Sequence, residues 1–382
     1  MQKKHLGRML CSFALSALTL WGVSVTTAAK DARAALRSLR EESLGVMLLR
    51  YERGDGGEEY LSMQTSLALR AAPLLRGEDE RIAQVWSTEL TQKPDDGAAG
   101  DAQDNEGTVL TQEKTPDEVA VTENGVPART LKASDPSGYT VFGNVYINNG
   151  SDAALDASML GADYAACLGA DEPQVLIIHT HGTESYTMPP GQEYDVSDTF
   201  RTLDTNCNMI RVGDEMARTL TECGISVVHD RALYDYPSYS GAYNRSLASI
   251  ERYLEKYPSI SFVLDVHRDA VQDANGNQFK LLCGEDAGAA QLEFVIGSNG
   301  GGLSHDLWRE NLKLACAVQE TLYKDYPTLM RPVTVRNSRY NQHMTTGSLL
   351  VEVGTAGNSL EEAVNAARIF AAGFAKTLQN GE

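Results

Sequence analysis

The last two thirds of the chain predict an α/β domain, a mostly parallel sheet flanked by helices, on three observations. Short apolar runs of β-forming residues, such as V-L-I-I at 175–178, alternate with stretches of helical period, such as Met209, Val212, Met216 and Leu220. Several of these runs end in His, Asp or Glu, at the edge where an open α/β sheet presents side chains to a crevice. A stretch rich in Asp, Glu, Gly, Thr and Pro sets the region apart from everything before it.

The elements follow in order from Gly138, where Y-T-V-F-G-N-V-Y-I-N-N predicts a short strand or hairpin. Val175–Ile178 reads as a strand buried on both faces. Asn208–Cys223 is a helix stopped by Gly224, and Ile225–Val228 a strand ending at His229, Asp230 and Arg231. Asn244–Lys256 is a helix closed by Pro258, and Ile260–Val266 a strand ending at His267. Leu292–Ile296 is a strand, Ser304–Lys324 a long helix, and Val333–Arg336 and Leu349–Val353 are the last strands. Ser359 and Glu362 form a capping box for the final helix.

Ahead of this domain, Lys3, Lys4 and Arg8 precede an uncharged run from Met9 to Val25. Residues 1–29 are therefore an export signal, either cleaved near Ala28 and Ala29 or retained as a membrane anchor. The working part is expected outside the cytoplasm, anchored or secreted. Residues 30–92 read as a helical N-terminal segment with a break at Gly54–Gly57. Residues 93–137 read as a disordered acidic linker, and 138–382 as a single catalytic domain. A net charge of −19 over 382 residues, with no basic stripe, excludes nucleic acid as a partner. The six cysteines have no C-x-x-C spacing and are read as structural thiols, not a disulfide framework.

Three strand ends collect the chemistry. The first gives His179, His181 and Glu184, the second His267, Arg268 and Asp269, and the last Glu352 inside L-L-V-E-V-G. Two imidazoles, a carboxylate and an open position describe a catalytic zinc site. Glu352 beside the activated water would act as general acid and base, and Arg268 or a neighbouring donor would steady the oxyanion. His179 is either a group that orients the site or a ligand itself, because strand alternation sets it on the side of His181 if the chain stays extended. Glu352 also has a plainer reading, as a partner of Arg268 or Arg339. His229, His305 and His343 are read as polar caps. Tyr234, Tyr236, Tyr239 and Tyr243 are placed equally well to stack on a sugar or peptide or to pack. There is no G-x-S-x-G elbow, Walker loop or G-x-G-x-x-G turn.

These residues carry a resemblance. I-I-H-T-H-G-T-E-S-Y at 177–186, N-M-I-R-V-G-D-E-M at 208–216, Y-N-R-S-L at 243–247, L-D-V-H-R-D-A at 264–270, W-R-E-N-L at 308–312, R-Y-N-Q-H at 339–343 and L-V-E-V-G-T at 350–355 closely resemble the stage II sporulation protein P family of cell-wall hydrolases. The resemblance implies a fold like that of the zinc amidases of the amidase_3 type. It implies an N-acetylmuramoyl-L-alanine amidase, with peptide-cleaving activity also attributed to the family, that acts in engulfment during endospore formation. Zn2+ would be held by His181 and His267, with Glu352 as the catalytic acid. The amidases' third ligand, a Glu shortly before the first long helix, has no clear match in T-L-D-T-N-C-N. Glu184 is favoured in its place, with Asp204 as the alternative and Asp269 nearby. Implied partners are peptidoglycan glycan strands and stem peptides, and stage II sporulation proteins D and M. Two other readings stand beside this one: a wall-binding scaffold without turnover, and a stem-peptide metallopeptidase.

Overall fold

A computed structural model of the chain describes residues 108–109, 120–121, 126–161, 163–169, 172–189, 200–272 and 278–380. The expected leader and N-terminal helical segment lie outside these residues. The site-bearing unit falls within Ala98–Glu382.

Its main sheet has eight strands: β1 (Thr140–Phe142), β2 (Val145–Asn149), β3 (Val175–Ile178), β4 (Val227–His229), β5 (Phe262–Asp269), β6 (Leu292–Gly297), β7 (Val333–Arg336) and β8 (Gly347–Thr355). Their order is β1-β2-β7-β6-β8-β5-β3-β4. The hairpin expected after Gly138 is β1–β2, turning at Gly143 with a φ of 58°. The sheet is mixed rather than purely parallel: β4, β3, β5 and β8 run together, and β6 lies antiparallel to β8. Strand direction leaves no mark on a buried apolar run, so the pattern did not reveal this reversal. The strands expected to carry chemistry, β3, β5 and β8, do share one C-terminal edge.

Helices α1 (Met209–Glu222), α2 (Ala242–Lys256), α3 (Trp308–Tyr323) and α4 (Leu360–Asn380) connect them. Asn208 caps α1 by accepting from the Ile210 N–H. Ser359 and Glu362 each accept the other's backbone N–H, so the predicted capping box forms. Alternation divides the sheet. Val175, Ile177, Leu264, Val266, Val351 and Val353 join the large core with residues of α1, α3 and α4. Leu176, Ile178 and Val263 face the other way, toward Ile250 of α2. That second face also carries Asp265, His267 and Glu352, each an even number of residues from an apolar neighbour on it.

The linker reading is corrected at its C-terminal end. Ala128 and Arg129 pair with Lys280 and Leu281, Thr130 donates to the Leu282 carbonyl at 2.7 Å, and the Leu131 N–H donates to Gln291 Oε1 at 2.7 Å. Ala128 is buried and Leu131 packs beside Phe279, so this short apolar alternation covers an edge that would otherwise be open. All five cysteines from Cys167 onward are free; Cys283 and Cys316 are buried, while Cys167 is exposed.

Gly213, in the middle of α1, has no room for a side chain, because a Cβ there runs into His179 Nε2 and His229 Nε2. In an open helix Gly→Ala gains roughly 0.5–1 kcal/mol. Gly213→Ala is expected instead to lose about 1–3 kcal/mol, the usual cost of overpacking. Urea unfolding measures it, and a variant as stable as the parent would contradict the packing described.

Candidate active site

The segment from His179 to Tyr186 leaves the end of β3 and assigns nearly every side chain a task. His179 continues the strand's alternation onto the α1 face. There its Nδ1 donates to the Val266 carbonyl at 2.8 Å, and its Nε2 lies 2.9 Å from His229 Nε2. Burial and the neighbouring His229 push its pKa down to about 3, so the ring is neutral. The chain then turns through Thr180–Thr183 instead of staying extended, and the turn delivers His181 to the opposite face. His179 is therefore a packing and positioning group, not a ligand.

His181, Glu184 and His267 are the one group among the described residues whose ligating atoms gather closely enough to hold a metal ion, all within 4.8 Å of one another. His181 Nδ1 and His267 Nδ1 each lie 3.8 Å from a different oxygen of Glu184. All three are buried. Burial and the positive charge expected on His267 hold His181 well below its usual pKa, leaving it a neutral imidazole. Burial also opposes charge on His267. The negative charge of Asp265, 2.9 Å from Nε2, together with Glu184 and Glu352, outweighs that and raises the ring to about 10.

Asp265 sits two residues before His267 on β5, hence on the same face. Thr180 holds it through its backbone N–H at 2.8 Å and its hydroxyl at 2.6 Å. A carboxylate behind a histidine fixes which ring nitrogen is left for a metal, here Nδ1. Glu184 is placed by backbone: it bridges Arg201, and its carbonyl accepts the Met209 N–H that opens α1. The Tyr186 hydroxyl donates to the Val353 carbonyl at 2.8 Å and ties this loop to β8.

Glu352 pairs in register with His267 across β5 and β8, so the two stand side by side on one face. Its Oε2 is buried with no hydrogen-bond partner. Burial, resisted by His267 and reinforced by Asp269, Glu184 and Glu293, lifts its carboxyl to about 8. An orphaned acidic oxygen beside two imidazoles and a carboxylate fits a centre built around a cation and water.

Other expected residues take different places. Arg268 donates from Nε to the Ser185 carbonyl at 2.9 Å, from Nη2 to that of Phe200 at 3.0 Å and from Nη1 to that of Asp269 at 3.3 Å. Its backbone N–H reaches Glu184 Oε2 at 3.2 Å. It holds the donor loop together rather than facing an oxyanion. Asp204 is exposed and accepts from Asn206, away from the cluster. Asp269 is paired to Arg331 at 2.7 Å, as is Glu293. Tyr239 stacks on His181 with ring centres 4.5 Å apart, and Tyr243 lies nearly parallel to His267 at 6.4 Å. Two of the four crowded tyrosines thus line the site. Asp265 went unremarked in the sequence although its signal, an acid within an apolar strand, is the one that exposed Glu352.

The fold and site define an α/β domain that gathers a buried His-Glu-His group, able to hold a metal, at the C-terminal edge of its sheet. A family model described as Stage II sporulation protein P (SpoIIP) matches residues 61–375, and the chain belongs to that family. It is 28% identical over 225 residues to stage II sporulation protein P of Bacillus subtilis (strain 168), a match covering 56% of this chain and 53% of that protein. The chain therefore matches about half the length of that relative. Among solved structures it is similar to N-acetylmuramoyl-L-alanine amidase AmiC2 of Nostoc punctiforme, at 16% identity over 56% of this chain and 96% of that one, with a TM-score of 0.30. It is also similar to the CwlD amidase from Clostridioides difficile, solved in complex with the GerS lipoprotein, at 13% identity over 55% and 98% of the chains, with a TM-score of 0.35.

Metal uptake must displace a proton from His267, whose ring stays charged to about pH 10 in the metal-free protein. Affinity for zinc is expected to climb about tenfold per pH unit from pH 7 to 9. Asp265→Asn is expected to flatten that slope and weaken the metal about 10- to 100-fold. Competition against a chromophoric chelator across pH measures both; an affinity independent of pH would contradict this account of His267.

Proposed function

We propose that the chain is a zinc-dependent peptidoglycan hydrolase that cuts the amide between the lactyl group of muramic acid and L-alanine. The observation that carries this reading is Glu352 in register beside His267, with His181 and Glu184 completing a buried donor set. His181, Glu184 and His267 would hold the ion, and Asp265 would keep His267 oriented. Zinc in such a set acts as a Lewis acid and makes hydroxide from water available near neutral pH.

Glu352 carries the proton. Its carboxyl, high at about 8 without a cation, ionises when positive charge is held beside His267. The ionised carboxylate takes the proton of the attacking water and returns it to the leaving alanine nitrogen. Tyr239 and Tyr243 wall the site with aromatic surface on which a sugar or peptide can lie. Arg268 acts indirectly, by fixing the loop that carries Glu184.

Family membership supports a role in the cell-wall remodelling of spore formation, with glycan strands and stem peptides as substrate. Stage II sporulation proteins D and M are the proposed partners, and the proposed location is outside the cytoplasm, by way of the leader in residues 1–29. Cleavage within stem peptides would use the same donor set and acid, and the products separate the two reactions.

Glu352→Gln is expected to keep its zinc and lose about 10²- to 10⁴-fold in turnover, the usual contribution of a general acid–base group. Metal analysis together with chromatography of digested sacculi checks both. Release of peptides beginning in L-alanine from wild-type digests marks the amidase. New amino termini within the stem mark a peptidase, and a Glu352→Gln protein that digests walls at the parental rate would overturn the scheme.

A further inference from the structure

Beyond the metal centre, the face that carries His267 and Glu352 continues across β6 and β7. Glu293 stands opposite Glu352, Val295 opposite Leu350, and Thr334 beside Val295. Over these strands the sheet is crossed by the loop after β7. A side chain at Gly297 would meet the Arg339 carbonyl at 2.8 Å, and Tyr340 packs on Val295 and Leu350. Tyr340 and Asn341 adopt left-handed backbone conformations, φ 48° and 54°, which fold this loop back onto the sheet. The result is an aromatic path from the site, with Tyr243 beside His267 and Tyr340 a further 5.8 Å on, between ring centres.

Arg336 stands at the end of that path. It is the last residue of β7, shares a face with Thr334, and pairs with Gly297, over which the backbone of Ser338 and Arg339 passes. The other arginines of this face are engaged. Arg331 pairs with Glu293 and Asp269, Arg268 with three carbonyls, Arg201 with Asp235, and Arg339 reaches the Ser304 carbonyl at 3.4 Å. The Arg336 carbonyl accepts from the Ser298 hydroxyl at 2.8 Å, but its guanidinium makes no hydrogen bond or ion pair among the described residues. Tyr340, Glu293, Glu352 and Asp269 are close enough to favour its charge against the burial that opposes it. A half-buried guanidinium with charged neighbours but no hydrogen-bond acceptor of its own has lost water's hydrogen bonds without replacing them. A chain of net charge −19 also needs a local cation to take an acidic substrate.

We infer that Arg336 is a specificity-determining residue that binds a carboxylate of the acidic stem peptide while the amide being cut sits at Glu352. The spacing suits it. Arg336 lies two strands across from Glu352, ~10 Å, and four residues along the strands, ~13 Å. The two charged ends nevertheless lie close enough to act on each other, a gap on the scale of two extended residues, ~7 Å. The inference rests on the amidase reading for the identity of the peptide, and a guanidinium forks onto a carboxylate through two parallel hydrogen bonds.

The test uses two muramoyl tripeptides that differ only in whether the α-carboxylate of the second residue is free or amidated. The zinc-loaded full chain is expected to show a KM lower for the free acid by about 10- to 100-fold, the range of a charge-assisted hydrogen bond. In Arg336→Gln the loss on the free acid should exceed the loss on the amide by that same factor, and Arg336→Lys should recover part of the preference. Binding of both peptides to Glu352→Gln protein, by calorimetry, reads the same preference without turnover. If cleavage fails while the binding preference and its loss in Arg336→Gln persist, the amidase reading falls and this inference stands. Equal binding of the two peptides by the wild type overturns it. So does an Arg336→Gln variant weakened equally for both, which would make Arg336 a counter-ion to Glu293 and Glu352 alone.

Discussion

Parallel pairing of β5 with β8 sets His267 against Glu352, and the other parts of the site are arranged about that pair. A slip of one residue along either strand would turn that strand's member of the pair into the apolar core, so the register cannot drift without losing the pair. Val266 and Val351, one step back, bury into the core beneath α1, α3 and α4 and resist such a slip. Just beyond Glu352 the register breaks at Gly354, φ 67°, so the acid occupies the last regular position of the pairing.

Buried charge on this scale is costly unless each group is answered. Asp265 answers His267 and is itself answered by Thr180. Arg331 neutralises Glu293 and Asp269, and Arg201 neutralises Asp235, which accepts from Thr183 in the donor loop. Glu352 Oε2 stands outside this satisfaction. Other buried atoms also lack a hydrogen-bond partner, Arg331 Nε and both ring nitrogens of His305 among them, so what sets Glu352 apart is its place in register beside His267.

Much of this was legible in the residue pattern, and the misses have physical causes. His181, His267, Glu184 and Glu352 stood out because a polar group within or at the end of an apolar strand is expensive without a purpose. Helix ends were legible for a local reason, since Asn208, Gly224, Ser359 and Glu362 act through their own neighbours. His179 was ambiguous because alternation holds only while a chain is extended, and the turn at Thr180–Thr183 reverses which side the next histidine meets. Arg268 was misplaced because sequence records that a guanidinium is present but not which carbonyls have claimed it. The antiparallel direction of β6 and the pairing of Ala128 and Arg129 with Lys280 and Leu281 depend on contacts far apart in the chain, 61 residues for Leu292 with Val353 and 152 for Ala128 with Lys280, which no local period encodes.

The bond from the Tyr186 hydroxyl to the Val353 carbonyl joins the loop that carries Glu184 to the strand that carries Glu352. Glu184 and Glu352 are thereby held by elements tied directly to each other. Displacing either element therefore strains the other through that one bond.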